Sequence, residues 1–250
     1  MALRTRCPAV RVRLSGRTGV IAGADPYLHG CRGVGVVRSV PAMTALTVPT
    51  TGVSLARVAG VLTIIGAATG IVGALVLILV PPAVPPGTLS HPLGVAGHAV
   101  AQTSFFLNHV ALGVGLVALG LSSVSSARPG RIGTWIAVAG LALLSVCELW
   151  AIALAEAPFP SPETAPLDTA YGLSSITIGV GLVIAGIGVA RTREWTGWRR
   201  WIVLVMGAML FLVVVPGLMM GFVGGRIVLA LWMVAWALFG VALLGQRERR

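Results

Sequence analysis

The sequence has little charge and no lysine at all. Of its 250 residues only 10% are charged, and all 18 basic residues are arginine, against seven acidic ones. Soluble domains usually carry about 25% charged and about 45–50% apolar residues, whereas 56% of this chain is hydrophobic. The composition therefore excludes an ordinary soluble domain and predicts an integral membrane protein in contact with a lipid bilayer. An all-arginine basic set is typical of a GC-rich coding sequence and favours a bacterial source.

Cysteine and the common catalytic signatures are equally scarce. The three cysteines, Cys7, Cys31 and Cys147, are odd in number and widely spaced, which argues against a disulfide framework or a cysteine metal site. The chain contains no P-loop, no dinucleotide-binding glycine fingerprint, no H-E-x-x-H and no nucleophile elbow. We therefore predict no cofactor and no metal ion, and no enzymatic reaction can be named.

The net charge of +11 does not indicate a nucleic-acid-binding protein, because the arginines lie in the N-terminal stretch and in short turns. Residues 1–42 hold many of them, between short apolar pieces, and no continuous apolar segment follows the basic start, as a secretory signal would require. We interpret 1–42 as a disordered basic tail or as a spurious N-terminal extension, with synthesis beginning at Met43. An organellar transit peptide has a similar composition. Residues 43–250 then form the membrane domain.

Six apolar segments follow Arg57, each close to the roughly 20 residues that cross a bilayer core about 30 Å thick. Backbone amides in lipid must be paired within their own segment, so each is predicted to be an α-helix. We number them spans one to six, at about 58–80, 103–124, 132–154, 170–190, 201–222 and 227–244. The predicted fold is an all-α bundle of six transmembrane helices.

The arginines predict the orientation of this bundle. They precede span one and follow spans two, four and six, but are absent from 81–102 and 155–169. Because basic turns stay in the cytoplasm, both termini are predicted to be cytoplasmic, in a plasma membrane. Arg226, in the short outer turn between spans five and six, is the one exception. Trp195, Trp198 and Trp201 stand at the inner border of span five, where interfacial indoles belong.

A short repeat links two hairpins of this bundle. "GVGLV" occurs at 113–117 and again at 179–183, and Trp135 and Trp201 are related by the same offset. The hairpin of spans two and three would then correspond to that of spans four and five, as in transporters with parallel repeats. Chance similarity is the alternative, since glycine, valine, leucine and alanine dominate the chain.

Asn108 and His109 stand together inside span two, and Glu148 lies inside span three. The two spans are antiparallel across a turn near Arg128, and 109 and 148 are equally far from that turn. His109 and Glu148 are therefore predicted to lie at one level, roughly 9 Å below the outer surface of the hydrocarbon. Ionisable groups at such depth usually pair and often carry function, and an imidazole beside a carboxylate can exchange a proton. A simple packing hydrogen bond is the alternative.

Hydroxyl groups at the outer end of span four extend this candidate site. Tyr171, Ser174, Ser175 and Thr177 could line a polar vestibule with His109 and Glu148, or could serve only helix contacts; we include Ser174 and Ser175 in the predicted site. The acidic, proline-rich connection at 156–171 reads as a solvated connector, or as a mouth that attracts cations.

The remaining histidines do not predict a metal or haem site. His98 and His109 would be separated by about 16 Å along one helix, too far for both to bind one ion at about 2 Å. His91 could meet His98 only if the outer loop folds back. No histidine occurs in any other span to complete a haem site.

Two further features of the spans concern packing. Gly66, Gly70 and Gly73 in span one let another helix approach closely, either from the same chain or from a second protomer or another membrane protein. Pro216 removes a backbone donor and bends span five, which neighbours can compensate and which could also serve gating.

Two functions are compatible with these features. The first is a small permease-like or channel-like protein with a polar site near the outer leaflet, formed by His109, Glu148, Asn108, Ser174 and Ser175. The second is a non-catalytic structural or accessory subunit of a membrane complex, in which the polar pair only joins helices.

Overall fold

A computed structural model describes residues 55–246, so the predicted tail at 1–42 and the last four residues lie outside the described range. Six helices of this range are long and apolar enough to cross a membrane, which confirms the prediction of an all-helical multi-pass membrane protein. In chain order they are α1 Leu55–Leu79, α2 Gly94–Leu121, α3 Arg128–Ala153, α4 Ala165–Thr192, α5 Arg199–Leu218 and α6 Gly221–Leu244.

The helices extend beyond the predicted spans at several ends. Helix α2 begins at Gly94 rather than near Thr103, and α6 begins at Gly221 rather than near Ile227. Hydropathy detects only the part of a helix that suits lipid, whereas His98, Gln102 and Arg226 continue a helix without being apolar. The polar first turns of α2 and α6 were therefore assigned to connecting segments.

Helix α5 is irregular in its second half. Residues Leu210–Val214 form one π-helical turn, in which the Val215 amide donates to the Leu210 carbonyl, and Pro216 follows directly. Proline has no amide hydrogen and disturbs the preceding turn, and a π turn is one way in which a helix absorbs such a disturbance. The proline in span five therefore changes the local helix type rather than ending the helix.

The helices are arranged as a closed ring in sequence order. Each helix packs against its neighbours in the chain, and α6 closes the ring by packing against both α5 and α1. The contact between α1 and α6 is made through small residues, since a Cβ placed on Gly60 would lie 2.8 Å from the Gly240 carbonyl oxygen. Helix α3 consequently lies across the ring from α6.

We call the end of the ring that carries segments 80–93 and 154–164 the loop end, and the opposite end the basic end. At the loop end the two segments are joined by backbone hydrogen bonds, from the Leu89 amide to Ala157 and from the Phe159 amide to Gly87. The helix ends and turns at the basic end hold Arg128, Arg131, Arg191, Arg193, Arg199 and Arg200. A continuous cap therefore covers α1 to α4 at the loop end.

The centre of the ring is filled by large apolar side chains. Trp236 and Phe239 of α6 are completely buried and pack edge to face, with ring centroids 5.9 Å apart. Leucine and isoleucine side chains from α2, α3 and α4 surround them, among them Leu112, Leu116, Leu119, Leu141, Ile178 and Leu182. This core occupies the ring between the loop end and the basic end.

The closest helix approach joins α3 and α4. A Cβ on Gly133 would lie 2.6 Å from the Gly181 carbonyl oxygen, and a Cβ on Gly140 would lie 2.8 Å from the Ile178 amide nitrogen. Near the basic end Gly188 meets the backbone of Gly130 in the same way. Backbone therefore packs directly on backbone, which fixes the relative height of α3 and α4.

The two copies of GVGLV have different surroundings. Gly113 in α2 has open space where a Cβ would stand, whereas Gly179 in α4 packs against Leu210 and Phe211 of α5. The duplication of the two hairpins therefore stays a prediction.

Candidate functional site

His109, near the middle of α2, lies beside Glu148, near the loop-end terminus of α3. The His109 Nδ1 atom lies 3.6 Å from the Glu148 Oε1 atom, and the two side chains are 12% and 8% exposed. This distance is longer than a hydrogen bond, and His109 Nδ1 is a buried nitrogen without a hydrogen-bond partner among the described residues. The pair is therefore close and buried, but not bonded.

Tyr171 of α4 adds a third group to this site. Its hydroxyl donates a hydrogen bond of 3.0 Å to the second carboxylate oxygen, Glu148 Oε2. A hydrogen bond donated to a carboxylate stabilises its charged form. Glu148 is thus held by one bonded partner from α4 and faces one unbonded partner from α2.

Arg226 brings a positive charge to the same region from the opposite side of the ring. It belongs to the first turns of α6 and lies within electrostatic range of Glu148 and Tyr171. Its guanidinium carbon lies 5.1 Å from the centroid of the Phe222 ring, a cation–π distance. Within residues 55–246 it has no hydrogen bond and no ion pair shorter than 4.0 Å. The arginine that breaks the alternation of basic turns therefore lies within electrostatic range of the buried carboxylate, without contacting it.

Asn108 points away from this cluster. Its side-chain amide donates a hydrogen bond to the Gly66 carbonyl of α1 and lies 3.9 Å from the Met233 sulfur of α6. Consecutive residues of a helix project about 100° apart, so Asn108 and His109 serve different contacts. The structure places Asn108 at the junction of α1, α2 and α6.

The two predicted serines are not bonded to Glu148 either. The buried Ser174 hydroxyl donates to the Tyr171 carbonyl of its own helix, at 2.8 Å. Ser175 is partly exposed on the next position. The carboxylate takes its hydrogen bond from the Tyr171 phenol instead, a longer side chain that reaches across the gap between α3 and α4.

The two other histidines within residues 55–246 are bonded to backbone carbonyls. His98 Nε2 lies 3.1 Å from the Ala151 oxygen at the end of α3, and His91 Nδ1 lies 2.9 Å from the Val84 oxygen. A carbonyl only accepts, so both nitrogens act as donors. Within residues 55–246 no three histidine, cysteine or acidic side chains are grouped so that they could hold a metal ion.

The three glycines of α1 contact helices of the same chain. A Cβ on Gly66 would lie 2.9 Å from Ala111 Cβ, and one on Gly70 would lie 2.8 Å from Asn108 Nδ2. A Cβ on Gly73 would lie 2.6 Å from the Phe105 ring. The small-residue face of span one is thus occupied by α2 and α6.

The open face of α1 carries a shallow apolar groove. It is lined by Val72, Leu75, Val76, Leu79 and Val80, and it includes none of the residues around Glu148. The groove faces outward from the ring, where a membrane would supply lipid chains.

Sequence reasoning missed Arg226 as a neighbour of Glu148 and did not select Tyr171 for the predicted site. The sequence feature that could have pointed to Arg226 is that it is the one arginine in a predicted outer turn. The signal for Tyr171 was its place near the loop end of the helix that follows Glu148. Hairpin register relates only consecutive helices, so it could not bring Arg226 of α6 within electrostatic range of Glu148 of α3.

The cluster of His109, Glu148, Tyr171 and Arg226 therefore joins three titratable groups and one permanent cation from four helices. Comparison with protein families, with curated proteins and with solved structures finds no match for this chain. Its function has to be argued from the geometry of this cluster.

Proposed function

We propose that the protein is a small permease-like membrane protein in which Glu148 and His109 bind and release a proton. The observation that supports this is that the two titratable side chains lie 3.6 Å apart without a hydrogen bond between them. The buried His109 Nδ1 atom has no hydrogen-bond partner among the described residues. A contact kept only for packing would be expected to close into a hydrogen bond, because an unsatisfied buried polar group is costly. A small movement of either side chain brings the two atoms within bonding distance.

A proton is the ligand that such a compact site accommodates best. Glu148 is buried, and the adjoining apolar cluster of Cys147, Ala151 and Leu167 from α3 and α4 is buried as well. Proton transfer needs a titratable donor and acceptor within hydrogen-bond reach, and needs no cavity of its own. The imidazole and the carboxylate supply both groups.

The placement in the cell is part of the same proposal. The arginine-rich turns support a cytoplasmic basic end, so Glu148 would lie near the outer leaflet of a bacterial plasma membrane. Both termini would then be cytoplasmic, since α1 begins and α6 ends at the basic end. A proton would reach Glu148 from the outer side, beneath the paired loops.

A pair of glutamate variants tests the proton site. Glu148→Gln removes the proposed acid, and Glu156→Gln removes an exposed glutamate of segment 154–164 as a matched control. Infrared difference spectra between acidic and alkaline pH should show a protonated-carboxyl band of a buried acid in the wild type and in Glu156→Gln. The band should be absent from Glu148→Gln. An unchanged band in Glu148→Gln would refute the proton site.

Transport is tested separately in vesicles. Wild-type protein and Glu156→Gln should dissipate an imposed pH gradient faster than protein-free vesicles, and Glu148→Gln should return the rate to the protein-free level. His109→Gln should slow the flux as well, because the imidazole is the proposed partner in transfer. Equal rates for all five samples, the protein-free vesicles included, would argue against a permease.

A second candidate function is favoured by the packed centre of the ring. Below the cluster, Leu112, Leu141 and Ile178 are completely or almost completely buried, and this apolar layer favours an accessory subunit that conducts nothing. A partner or second protomer would have to contact the outward face of α1 around Ile65 and Val72, because the glycine face is already covered. An accessory subunit predicts no vesicle flux and no pH-dependent carboxyl band.

A further inference from the structure

Arg226 is placed differently from the arginines of the basic end. Arg199 and Arg200 each donate to a helix carbonyl, Gly245 and Ala190 respectively. The guanidinium of Arg226 instead stacks on Phe222 and has no hydrogen-bond acceptor within the described part of the chain. Its planar group carries five donors, matches carboxylate and phosphate oxygens, and stays charged at any physiological pH.

The charge of Arg226 is balanced only while Glu148 is ionised. The two groups interact electrostatically across the ring, at a distance beyond that of a direct ion pair. When Glu148 takes up a proton, the negative charge disappears and the permanent positive charge of Arg226 remains. The guanidinium then lacks its nearest negative charge, so an anion that binds at Arg226 gains affinity.

The neighbouring groups do not supply that anion. His109 and Tyr171 are neutral or cationic when protonated, and His98, which is also within electrostatic range of Arg226, donates to a carbonyl. Cys147 lies beside Glu148 on the same helix and is buried as a thiol. Among the described groups that face Glu148 and Arg226 from α2, α3, α4 and α6, Glu148 is thus the source of negative charge.

We propose that Arg226 binds the anionic oxygens of a small carboxylate or of a phosphate group, and that this ligand binds together with the proton that neutralises Glu148. This inference rests on the proposed proton site. The proton brings one positive charge and the anion brings one negative charge, so the net charge of the cluster is the same when both are bound as when neither is. Anion binding at Arg226 and proton binding at Glu148 then favour each other.

The surface around Arg226 allows two sources for such an anion. Met219 and Met220, in the turn between α5 and α6, are 85% and 76% exposed, and Phe222 is exposed beside them. A lipid could place its phosphate at Arg226 and its chains along these apolar side chains. A free carboxylate could reach the same guanidinium from water at the loop end. The shared chemistry is an anionic oxygen pair, and the source is an outcome of the test.

The test uses the full chain purified in an uncharged detergent, with labelled acetate as the probe. Arg226→Gln removes the proposed anion-binding group, Arg226→Lys keeps the charge without the planar fork, and Arg131→Gln at the exposed basic end is the matched control. Acetate should bind more tightly to the wild type at acidic than at alkaline pH, and should increase the Glu148 carboxyl band. Binding should fall about tenfold or more in Arg226→Gln, and less in Arg226→Lys.

The lipid source is examined by native mass spectrometry of the same samples. If a phospholipid occupies the site, it should remain with the wild type and Arg131→Gln and be lost from Arg226→Gln. Either result, acetate binding or lipid retention that depends on Arg226, supports the proposal and identifies the source. Wild-type behaviour of Arg226→Gln in both assays, in a sample that elutes as folded protein, overturns it.

The variant Glu148→Gln separates this inference from the proposed function. It mimics the protonated acid, so it should bind acetate equally at acidic and alkaline pH. If it keeps the wild-type pH dependence, the coupling of anion to proton is wrong. If the Glu148 carboxyl band is present but no anion depends on Arg226, the proton site stands and only this inference fails. If the band is unchanged in Glu148→Gln, the proton site itself fails.

Discussion

Asn108 and His109 are neighbours in α2, yet they join different helices. The Asn108 amide donates to the Gly66 carbonyl of α1, and the His109 imidazole faces Glu148 of α3. One polar dipeptide therefore bonds α2 to α1 through Asn108 and places an unbonded imidazole against α3 through His109. The two residues are expected to differ in what their substitution changes.

Asn108→Ala should lower stability without altering the proton site. It removes an interhelical hydrogen bond, worth about 0.6 to 1.7 kcal/mol between membrane helices, and leaves a small void beside Gly70 and Met233. Thermal unfolding in detergent should therefore occur at a lower temperature, while the Glu148 infrared band is retained. His109→Gln is the contrasting variant. It should alter the Glu148 infrared band and leave the unfolding temperature close to that of the wild type. Loss of the band in Asn108→Ala would show that the amide does belong to the proton site.

Gly133→Ala should be far more harmful than Gly113→Ala. A methyl group on Gly133 would meet the backbone of Gly181, and overpacking of this kind typically costs about 1–3 kcal/mol. The same methyl on Gly113 meets nothing within 4 Å and should stabilise the helix by about 0.5–1 kcal/mol. The yield of monodisperse protein and its unfolding temperature measure both effects. Equal behaviour of the two variants would contradict the close approach of α3 and α4.

Trp232→Phe should destabilise the protein more than Trp236→Phe, although Trp236 is the more deeply buried residue. The Trp232 indole donates to the Met206 carbonyl of α5 at 3.0 Å, whereas Trp236 Nε1 has no acceptor within the described residues. Both variants lose a similar volume, so the difference should reflect the hydrogen bond, worth about 0.5–1.5 kcal/mol. Thermal or denaturant unfolding in detergent gives the comparison, and a larger loss for Trp236→Phe would count against this account.

Single cysteines in the connecting segments test the orientation. Glu163→Cys lies in segment 154–164, and Ser126→Cys lies in the turn between α2 and α3 at the basic end; both positions are exposed. In a background with Cys7→Ser and Cys31→Ser, a membrane-impermeant maleimide should label Glu163→Cys on intact cells. Ser126→Cys should react only after lysis, and the buried Cys147 should stay unlabelled. Labelling of Ser126→Cys on intact cells, with Glu163→Cys reacting only after lysis, would show that the bundle has the opposite orientation.

The sequence predicted the helices and one contact of the site for a clear physical reason. Lipid demands long apolar helices, and an antiparallel hairpin packs consecutive helices side by side. The hairpin placed His109 and Glu148 on neighbouring helices, although its turn lies at 122–127 rather than near Arg128, so that the two residues are not equally far from it. It could not show that α6 closes against α1, and this closure is what brings Arg226 to the same carboxylate.

The choice of serines over Tyr171 has a different cause. Residue type suggested Ser174 and Ser175, but Ser174 satisfies its hydroxyl on its own helix backbone, as short hydroxyl side chains in helices commonly do. The longer phenol of Tyr171 can span the gap between two helices. Likewise, the glycines of α1 could be recognised because they lie close together in the sequence. Gly133 and Gly181 become neighbours only when α3 and α4 pack.

The backbone pairing of segments 80–93 and 154–164 has a mechanical consequence. It ties the first four helices into one rigid block at their loop end, while the α5–α6 hairpin is attached there mainly through side chains, such as the His91 ring on Phe222 at 5.8 Å. The π turn before Pro216 lies in this hairpin. Opening at the loop end is therefore expected to separate the α5–α6 hairpin from the paired segments more easily than it separates α1 to α4 from one another.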